Sequence, residues 1–566
     1  MLAPMLSPRP IPDPVADPAR LSPSEPWRRW KQTGLVLLAA VWIALGLVGH
    51  DPWKFDDAVN FDLAWQMNVH DDYVVPRLAG EVYLARPPLV PAVAALSQRL
   101  LSPPLDAYDA ARVAAGLALA LALLFTSLAA VELAGPGLRW LPMLILIGTI
   151  GLWDRGHVLS GELGAMTGIA VALYGHALAL RRPVAGGVWL GVGLAVAFLA
   201  QGPLTPAWIL VATLLLPACG RAWRRQAWAI ALALALIVGA ALVLPWIVAL
   251  DRRGHGLLAA WAAGQHLSNF IALDGSAHGA DPLYYLRNIL WFGWPAVPLI
   301  VWTLWTRGRG FNGGLATPAV QLPGLVAIVV FANLLVIPDP KLIDGLPLLV
   351  PLALLGMLEV DTLKRGHSAA LDWFGILTFG LLGILVWAAW IDARLFGMPR
   401  AVATLFRDAE SGYRPSFHLS AVLTAVLLTL AWVALVRPAR RSNRRALLNW
   451  AVGMTLMWCL YSTIWLPYLD SRRTYRHLAE SIAAHLPAGG CIASRNLGDA
   501  QRALFQYFGK FTTLREETHP DAVCPALLVQ WGAEPGAPPP GWHAEWGGSR
   551  SGDATETFVL YVRDRT

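Results

Sequence analysis

Long apolar runs separated by short polar punctuation dominate the chain. They read at 34–49, 109–132, 138–151, 165–180, 185–200, 204–218, 226–250, 283–305, 318–337, 344–360, 371–391, 418–436 and 447–467. Most run roughly 15–25 residues, the length an α-helix needs to cross the hydrocarbon layer of a bilayer. The pattern predicts a polytopic α-helical membrane protein with about thirteen spanning helices. Several runs are short, and the pair at 185–218, broken at Gln201-Gly202-Pro203, also reads as one re-entrant hairpin.

The runs are framed by two segments of other character. Residues 1–33 are rich in Pro, Ser and Arg without apolar periodicity, and read as a disordered cytoplasmic leader. The run at 34–49 follows Arg28, Arg29 and Lys31 like a signal anchor, and no small-residue cleavage site follows it. The tail, 468–566, reads as a small α/β domain. Strands are expected at 490–494, 526–530 and 557–562, a helix at 499–508, and a Pro-rich loop at 535–540.

Composition sharpens the class. Of 566 residues, 56% are hydrophobic and only 14% charged, with mean hydropathy +0.50. This excludes an ordinary soluble domain. The 27 Trp residues fit a membrane protein, since indole rings prefer the headgroup interface. A net charge of +7 would point to nucleic acid in a soluble chain. Here the Arg residues lie in short loops between apolar runs, so they orient the protein in the bilayer and no nucleic-acid partner is expected.

With the N-terminus inside, the cytoplasmic loops carry Arg181-Arg182, Arg221 with Arg224-Arg225, Arg307 with Arg309, Lys364-Arg365, and Arg437, Arg440, Arg441, Arg444 and Arg445. The alternate connections, 51–108, 152–164, 251–282, 338–343, 392–417 and the tail, then face outward. Carboxylates, His residues and prolyl turns collect there. Cys491 and Cys524 lie in the tail and can pair if it faces an oxidising compartment, whereas Cys219 and Cys459 belong to apolar runs. No CxxC or HExxH spacing marks a structural zinc or zincin site.

The outward segments hold the candidate chemistry. Asp56 and Asp57 open a predicted amphipathic helix, 58–67, just outside the first span. Acids at a helix start are favoured by its dipole, yet a carboxylate at this depth also suits proton abstraction from an acceptor. Arg86, before Pro87-Pro88, puts a guanidinium at headgroup depth, fit either for snorkelling or for bidentate contact with phosphate. Glu162 borders a membrane core, where an ionisable group marks a functional site by default. It could orient a sugar hydroxyl, assist Asp56 or share a metal with it. Lys341, in a prolyl turn, suits a phosphate head or pairs with Asp339 or Asp344. The loop 251–282 holds Gln265, His266, Asn269, His278 and Asp281 ahead of Tyr284-Tyr285. Arg472, Arg473 and Arg476 stand outside, against the charge rule, and suit phosphate or anionic headgroups.

Together, Asp56-Asp57-Ala58, the stretch from Tyr73 to Tyr83 containing Val75-Pro76-Arg77-Leu78-Ala79-Gly80, and Arg86-Pro87-Pro88-Leu89 resemble the first external loop of bacterial GT-C glycosyltransferases. The similar branch contains the protein O-mannosyltransferases and the lipid A aminoarabinose transferase. The likeness extends to Ala200-Gln201-Gly202-Pro203, the His266 and His278–Tyr285 loop, Lys341 and a C-terminal periplasmic domain. It implies inverting transfer of a sugar from a polyprenyl-phosphate donor to a lipid A, glycan or protein acceptor outside the bacterial inner membrane. By position, the resemblance makes Asp56 the catalytic carboxylate and Glu162 the second acid, with Arg86 and Lys341 on the donor phosphate. Asp57, Tyr83, His266, His278 and Tyr285 are expected to line the cavity. No cofactor is assigned, and a divalent metal is left open.

The chain departs from the family pattern in having Asp57 for the more usual Glu, Arg86 for Lys, Ala85 for a polar neighbour, and Gly345 for an aromatic residue. Sugar and acceptor stay open. The rival readings are a transporter or flippase for a polyprenyl-linked sugar, or a ligase using the same donors. A transporter favours charges inside the bundle and pseudo-symmetric halves, whereas the polar candidates here gather on one outer face.

Overall fold

The computed structural model describes residues 25–265, 281, 283–397, 414–436, 442–487, 489–553 and 555–564. Apolar sequence in a bilayer must satisfy its own backbone, and helices do so within one segment. In chain order the first elements are α1 (Glu25–Ala44), α2 (Asp56–His70), β1 (Arg77–Leu78), β2 (Glu81–Val82), α3 (Leu89–Leu101), α4 (Ala107–Ala134) and α5 (Leu141–Ile147). Next come α6 (Gly161–Ala179), α7 (Pro183–Gln201), α8 (Leu204–Cys219), α9 (Gln226–Arg253), α10 (Leu257–Gly264), α11 (Tyr284–Phe292) and α12 (Ala296–Gly308). Then follow α13 (Pro318–Leu334), α14 (Leu346–Gly356), α15 (Arg365–Phe396), α16 (Leu419–Val436) and α17 (Asn443–Ser462). Because α1 starts at Glu25, residues 25–33 of the segment read as a disordered leader are helical.

Among the described residues, five helices (α4, α7, α9, α15 and α16) are long and apolar enough to cross a membrane, or up to eight spans if three bent pairs each count once. Three predicted runs are broken rather than straight. The run at 138–151 bends by 62° after α5, that at 283–305 by 91° between α11 and α12, and that at 447–467 by 60° after α17. At the sharpest bend, Pro295 lacks the amide that would continue the ladder.

Helices α6 and α7 pack through small residues. A Cβ on Gly168 would fall 2.7 Å from the Ala197 backbone, and α7 in turn meets α9 where one on Gly187 would fall 2.6 Å from the Ala231 carbonyl. Such close approach replaces the hydrophobic effect, which lipid does not supply between helices.

The tail contributes α18 (Leu466–Arg473), α19 (Arg476–Ala484), β3 (Ile492–Arg495), α20 (Asp499–Gly509), β4 (Leu514–Arg515), β5 (Ala526–Trp531), β6 (Trp542–Ser549) and β7 (Thr557–Arg563). Its sheet runs β4-β3-β5-β7-β6. Strands β4, β3 and β5 are parallel, while β7 is antiparallel to both β5 and β6. The continuously apolar start of β5, buried on both faces, places Leu528 opposite Leu560 of β7. Cys491 and Cys524 form a disulfide, with Cα atoms 5.0 Å apart.

Helix α2 does not lie against a bilayer, as its amphipathic pattern leads one to expect. Ala58 is buried in the core of the tail with Tyr475, Leu478 and Phe505, while Phe61, Ala64 and Met67 join the core of the helical bundle. The Phe61 ring meets Tyr507 of α20 edge-on at 4.7 Å. Burial on both sides explains its weak polar face and fixes where its first turn points.

Candidate active site

The first turn of α2 is held from below. The Asn60 amide donates to the Asp56 carbonyl at 2.8 Å and to the Leu159 carbonyl at 3.0 Å. Next in the chain, Ser160 caps α6 by accepting from the Leu163 amide at 3.3 Å. This places Glu162 in the first helical turn, where the dipole favours a carboxylate. Glu162 is 1% exposed.

Arg86 enters from the loop after β2. The turn between β1 and β2 needs two left-handed residues, supplied by Ala79 (φ 48°) and Gly80 (φ 83°). The buried Asp62 carboxylate secures it by accepting from the Ala79 amide at 2.8 Å. The prolines at 87 and 88 then end the loop against α3, aiming Arg86 back at α6. Its guanidinium pairs with Glu162 at 2.9 Å and lies 3.6 Å from Asp56. A Cβ on Gly161 would fall 3.0 Å from that guanidinium, so a larger residue would crowd Arg86. Gln201, the last residue of α7, donates to Glu162 at 2.8 Å. The break at Gln201-Gly202-Pro203 therefore ends a helix and delivers a ligand to the second acid; Gly202 takes φ 94° there.

Electrostatics bind the cluster together. Burial first, then the neighbouring Glu162 carboxylate, push the Asp56 carboxyl up to about 6, against the pull of Arg86. The Glu162 charge holds the Arg86 guanidinium firmly protonated. Tyr83 packs beside Leu63, Leu78 and Ala503, and burial raises its phenol above the usual range. Lys341 approaches from the turn before α14. Its ammonium stands 5.6 Å from the centroid of the Phe55 ring and 3.2 Å from Asp339, an exposed acid.

Two residues expected to line the cavity are tied to protein partners. Tyr285 is 4% exposed, and its hydroxyl lies 2.7 Å from the Lys341 carbonyl and 3.2 Å from Asp344. It anchors the turn that carries Lys341 instead of facing a ligand. Asp57 turns away from Asp56 into a closed cluster, 2.9 Å from Arg112, which also pairs with Asp109 at 2.8 Å. Asp57 also accepts from the Leu159 amide at 3.4 Å, so it braces the first turn. His266 and His278 lie outside the described residues. Among the described residues no set of three or more His, Cys, Asp or Glu side chains gathers as metal ligands.

Sequence reasoning offered Asp344 only as a partner for Lys341 and Gln201 only as part of a break, and did not single out Arg112. A polar residue at a Gly-Pro break, an acid three positions after a candidate lysine, and a charge inside an apolar run were the available signals.

One cavity borders the first turn of α2 and a second adjoins that cavity. The first, of about 400 Å³, mixes aromatic and charged side chains and is lined by Phe55, Asp57, Trp53, Lys54, Tyr461 and Arg473 among others. The second, of about 920 Å³, is lined almost wholly by apolar side chains, among them Trp291 of α11, Phe374 of α15, Trp450 of α17 and Trp465 just before α18. Tyr461 belongs to both.

No family model matches the sequence. The chain is 26% identical over 370 residues to the undecaprenyl phosphate-alpha-4-amino-4-deoxy-L-arabinose arabinosyl transferase 1 of Pseudomonas fluorescens. That match covers 63% of this chain and 65% of the relative, just under two thirds of its length. In three dimensions the protein superposes on ArnT from Cupriavidus metallidurans, both bound to undecaprenyl phosphate and in the apo state. The TM-score is 0.65 at 16% identity, over 94% of this chain and 98% of ArnT. The fold is thus that of ArnT, and the resemblance to the GT-C glycosyltransferases holds at the level of fold and distant sequence relationship.

Proposed function

We propose that this protein, which shares the ArnT fold, is an inverting glycosyltransferase using a polyprenyl-phosphate-linked sugar. The observation that carries the reading is the open cluster of Asp56, Arg86 and Glu162 at one end of the helical bundle. Its elements support one reaction. A hydroxyl or phosphate oxygen of the acceptor attacks the anomeric carbon from the face opposite the leaving group. The new bond joins that oxygen to the sugar, and the bond from the anomeric carbon to the lipid phosphate oxygen breaks with its electron pair. Asp56, ionised above about pH 6, takes the proton of a hydroxyl acceptor. Arg86 and Lys341 neutralise the charge gathering on the departing phosphate, and Glu162 with Gln201 aims Arg86.

Because a lipid phosphate leaves readily, alignment and charge neutralisation do most of the catalytic task. Among the described residues the apolar cavity offers hydrocarbon-lined volume for a lipid substrate. In this reading the chain sits in the bacterial inner membrane with about thirteen crossings, N-terminus cytoplasmic, and residues 34–467 as the catalytic unit. Residues 468–566 form the periplasmic α/β domain, consistent with its disulfide. The acceptor is lipid A, another glycan or a protein. Mass spectrometry of envelope glycolipids and glycoproteins, with and without the gene, tests the proposal. Loss of one sugar from one class supports it, and identical profiles under expressing conditions refute it.

A further inference from the structure

The three outward arginines of the tail have different partners. Arg476 pairs with Asp51, its Nε 3.0 Å from that carboxylate. The Arg472 carbonyl accepts from Arg550. Arg473 alone of the three lines the 400 Å³ cavity. Its guanidinium stacks 4.6 Å over the Trp53 ring and bonds the Tyr461 hydroxyl. It forms no ion pair among the described residues.

The other charges around this cavity are already matched. Lys54 pairs with Glu556, and Arg550 with Asp553 at 2.9 Å. Asp57 is held by Arg112 and Asp154 by Arg155 at 2.8 Å. One positive charge is left over, on a side chain preorganised by an aromatic face. Trp53, Phe55, Trp458 and Tyr461 supply ring surfaces of the kind that cover the apolar faces of a sugar. A volume of about 400 Å³ accommodates a monosaccharide with one charged substituent.

Phe55 is the wall shared with the reaction centre. It lines the cavity, carries the Lys54 ammonium 4.7 Å and the Lys341 ammonium 5.6 Å from its centroid, and immediately precedes Asp56.

We infer that this cavity is a second anion site, separate from the Arg86 clamp, in which Arg473 holds the phosphate of a phosphorylated saccharide beside Asp56. The assignment rests on the glycosyl-transfer reading only in naming that saccharide as part of the acceptor; binding itself is independent of it. A guanidinium on an indole face suits a phosphate oxygen pair because its hydrogen-bonding edge stays free while its flat face is covered.

The test uses the full-length protein in lipid nanodiscs and follows Trp fluorescence on titration with glucose 1-phosphate, with methyl glucoside and inorganic phosphate as controls. The sugar phosphate is expected to bind more tightly than either control. Arg473→Gln is expected to weaken it about tenfold, Arg473→Lys by less, and Arg86→Ala not at all. Arg473 is exposed, so the melting temperature of Arg473→Gln should match the wild type. Unaltered binding in Arg473→Gln, absence of binding to the wild type, or loss confined to Arg86→Ala would each overturn the assignment. If glycosyl transfer itself is disproved, by identical envelope profiles, the binding result still stands or falls alone.

Discussion

The first turn of α2 carries two adjacent carboxylates that meet two guanidiniums on opposite faces, and the two arrangements differ in kind. On one face Arg112 lies between Asp57 and Asp109 with 1% of its side chain exposed and both contacts under 3 Å. On the other, Arg86 keeps 36% exposure, holds Glu162 closely, and stands 3.6 Å from Asp56. The closed set holds its guanidinium out of solvent between two carboxylates and leaves it no access for a phosphate. A looser one keeps hydrogen-bonding capacity for an incoming phosphate. Each face sets two carboxylates around one guanidinium, so access and spacing are what separate the closed set from the open one proposed as the reaction centre.

The contrast breaks most visibly on the closed face. Arg112→Ala strands two buried carboxylates and is expected to cost about 3–5 kcal/mol of stability, read as a large fall in melting temperature. A stable, fully folded Arg112→Ala would remove the distinction. On the open face Asp56→Asn should leave melting unchanged while lowering kcat about a thousandfold, measured with reconstituted protein and a polyprenyl-phosphate sugar. Near wild-type turnover would rule Asp56 out as the base. Arg86→Gln is expected to weaken polyprenyl-phosphate binding about ten- to a hundredfold, and equal affinity would take it out of the clamp.

The smallest effect is in the pH profile. Because the Asp56 carboxyl is pushed up to about 6 by burial and by Glu162, its proton returns earlier on acidification than for a free carboxylate. For a hydroxyl acceptor, kcat should fall about tenfold between pH 7 and pH 5 through loss of the ionised base. Glu162→Gln should move that inflection toward lower pH. An inflection that stays in place would mean the two acids do not sense each other.

Much of the site is legible in the chain because ionisable groups beside apolar runs are conspicuous. Asp56, Arg86 and Glu162, read from three separate segments, meet within one cluster. Pairing partners inside the runs were harder to see. Arg112 belongs to a stretch that reads as membrane, and only the fold shows it buried against Asp57. Helix α2 misled for a related reason: a weakly amphipathic helix looks interfacial until a second surface, the tail, covers its other side. In the tail, β3, β5, β7 and α20 follow the strand and helix patterns expected. The edge strands β4 and β6 were missed because two residues carry too little pattern and β6 is broken by Gly547-Gly548. Broken spans escape periodicity as well, since a bend of 91° at Pro295 leaves the apolar count intact.

The ties between the first outward loop and the tail have a consequence for biosynthesis. Arg502 and Arg515 grip Glu81, Asp470 receives the Asp51 amide at 3.0 Å, and Tyr507 abuts Phe61. These links join residues more than 400 positions apart, so the loop bearing Asp56 and Arg86 waits for the last fifth of the polypeptide before it is fully braced. A chain cut before residue 468 would lack every one of these braces. The geometry of the loop would thereby be completed only once the tail has folded against it.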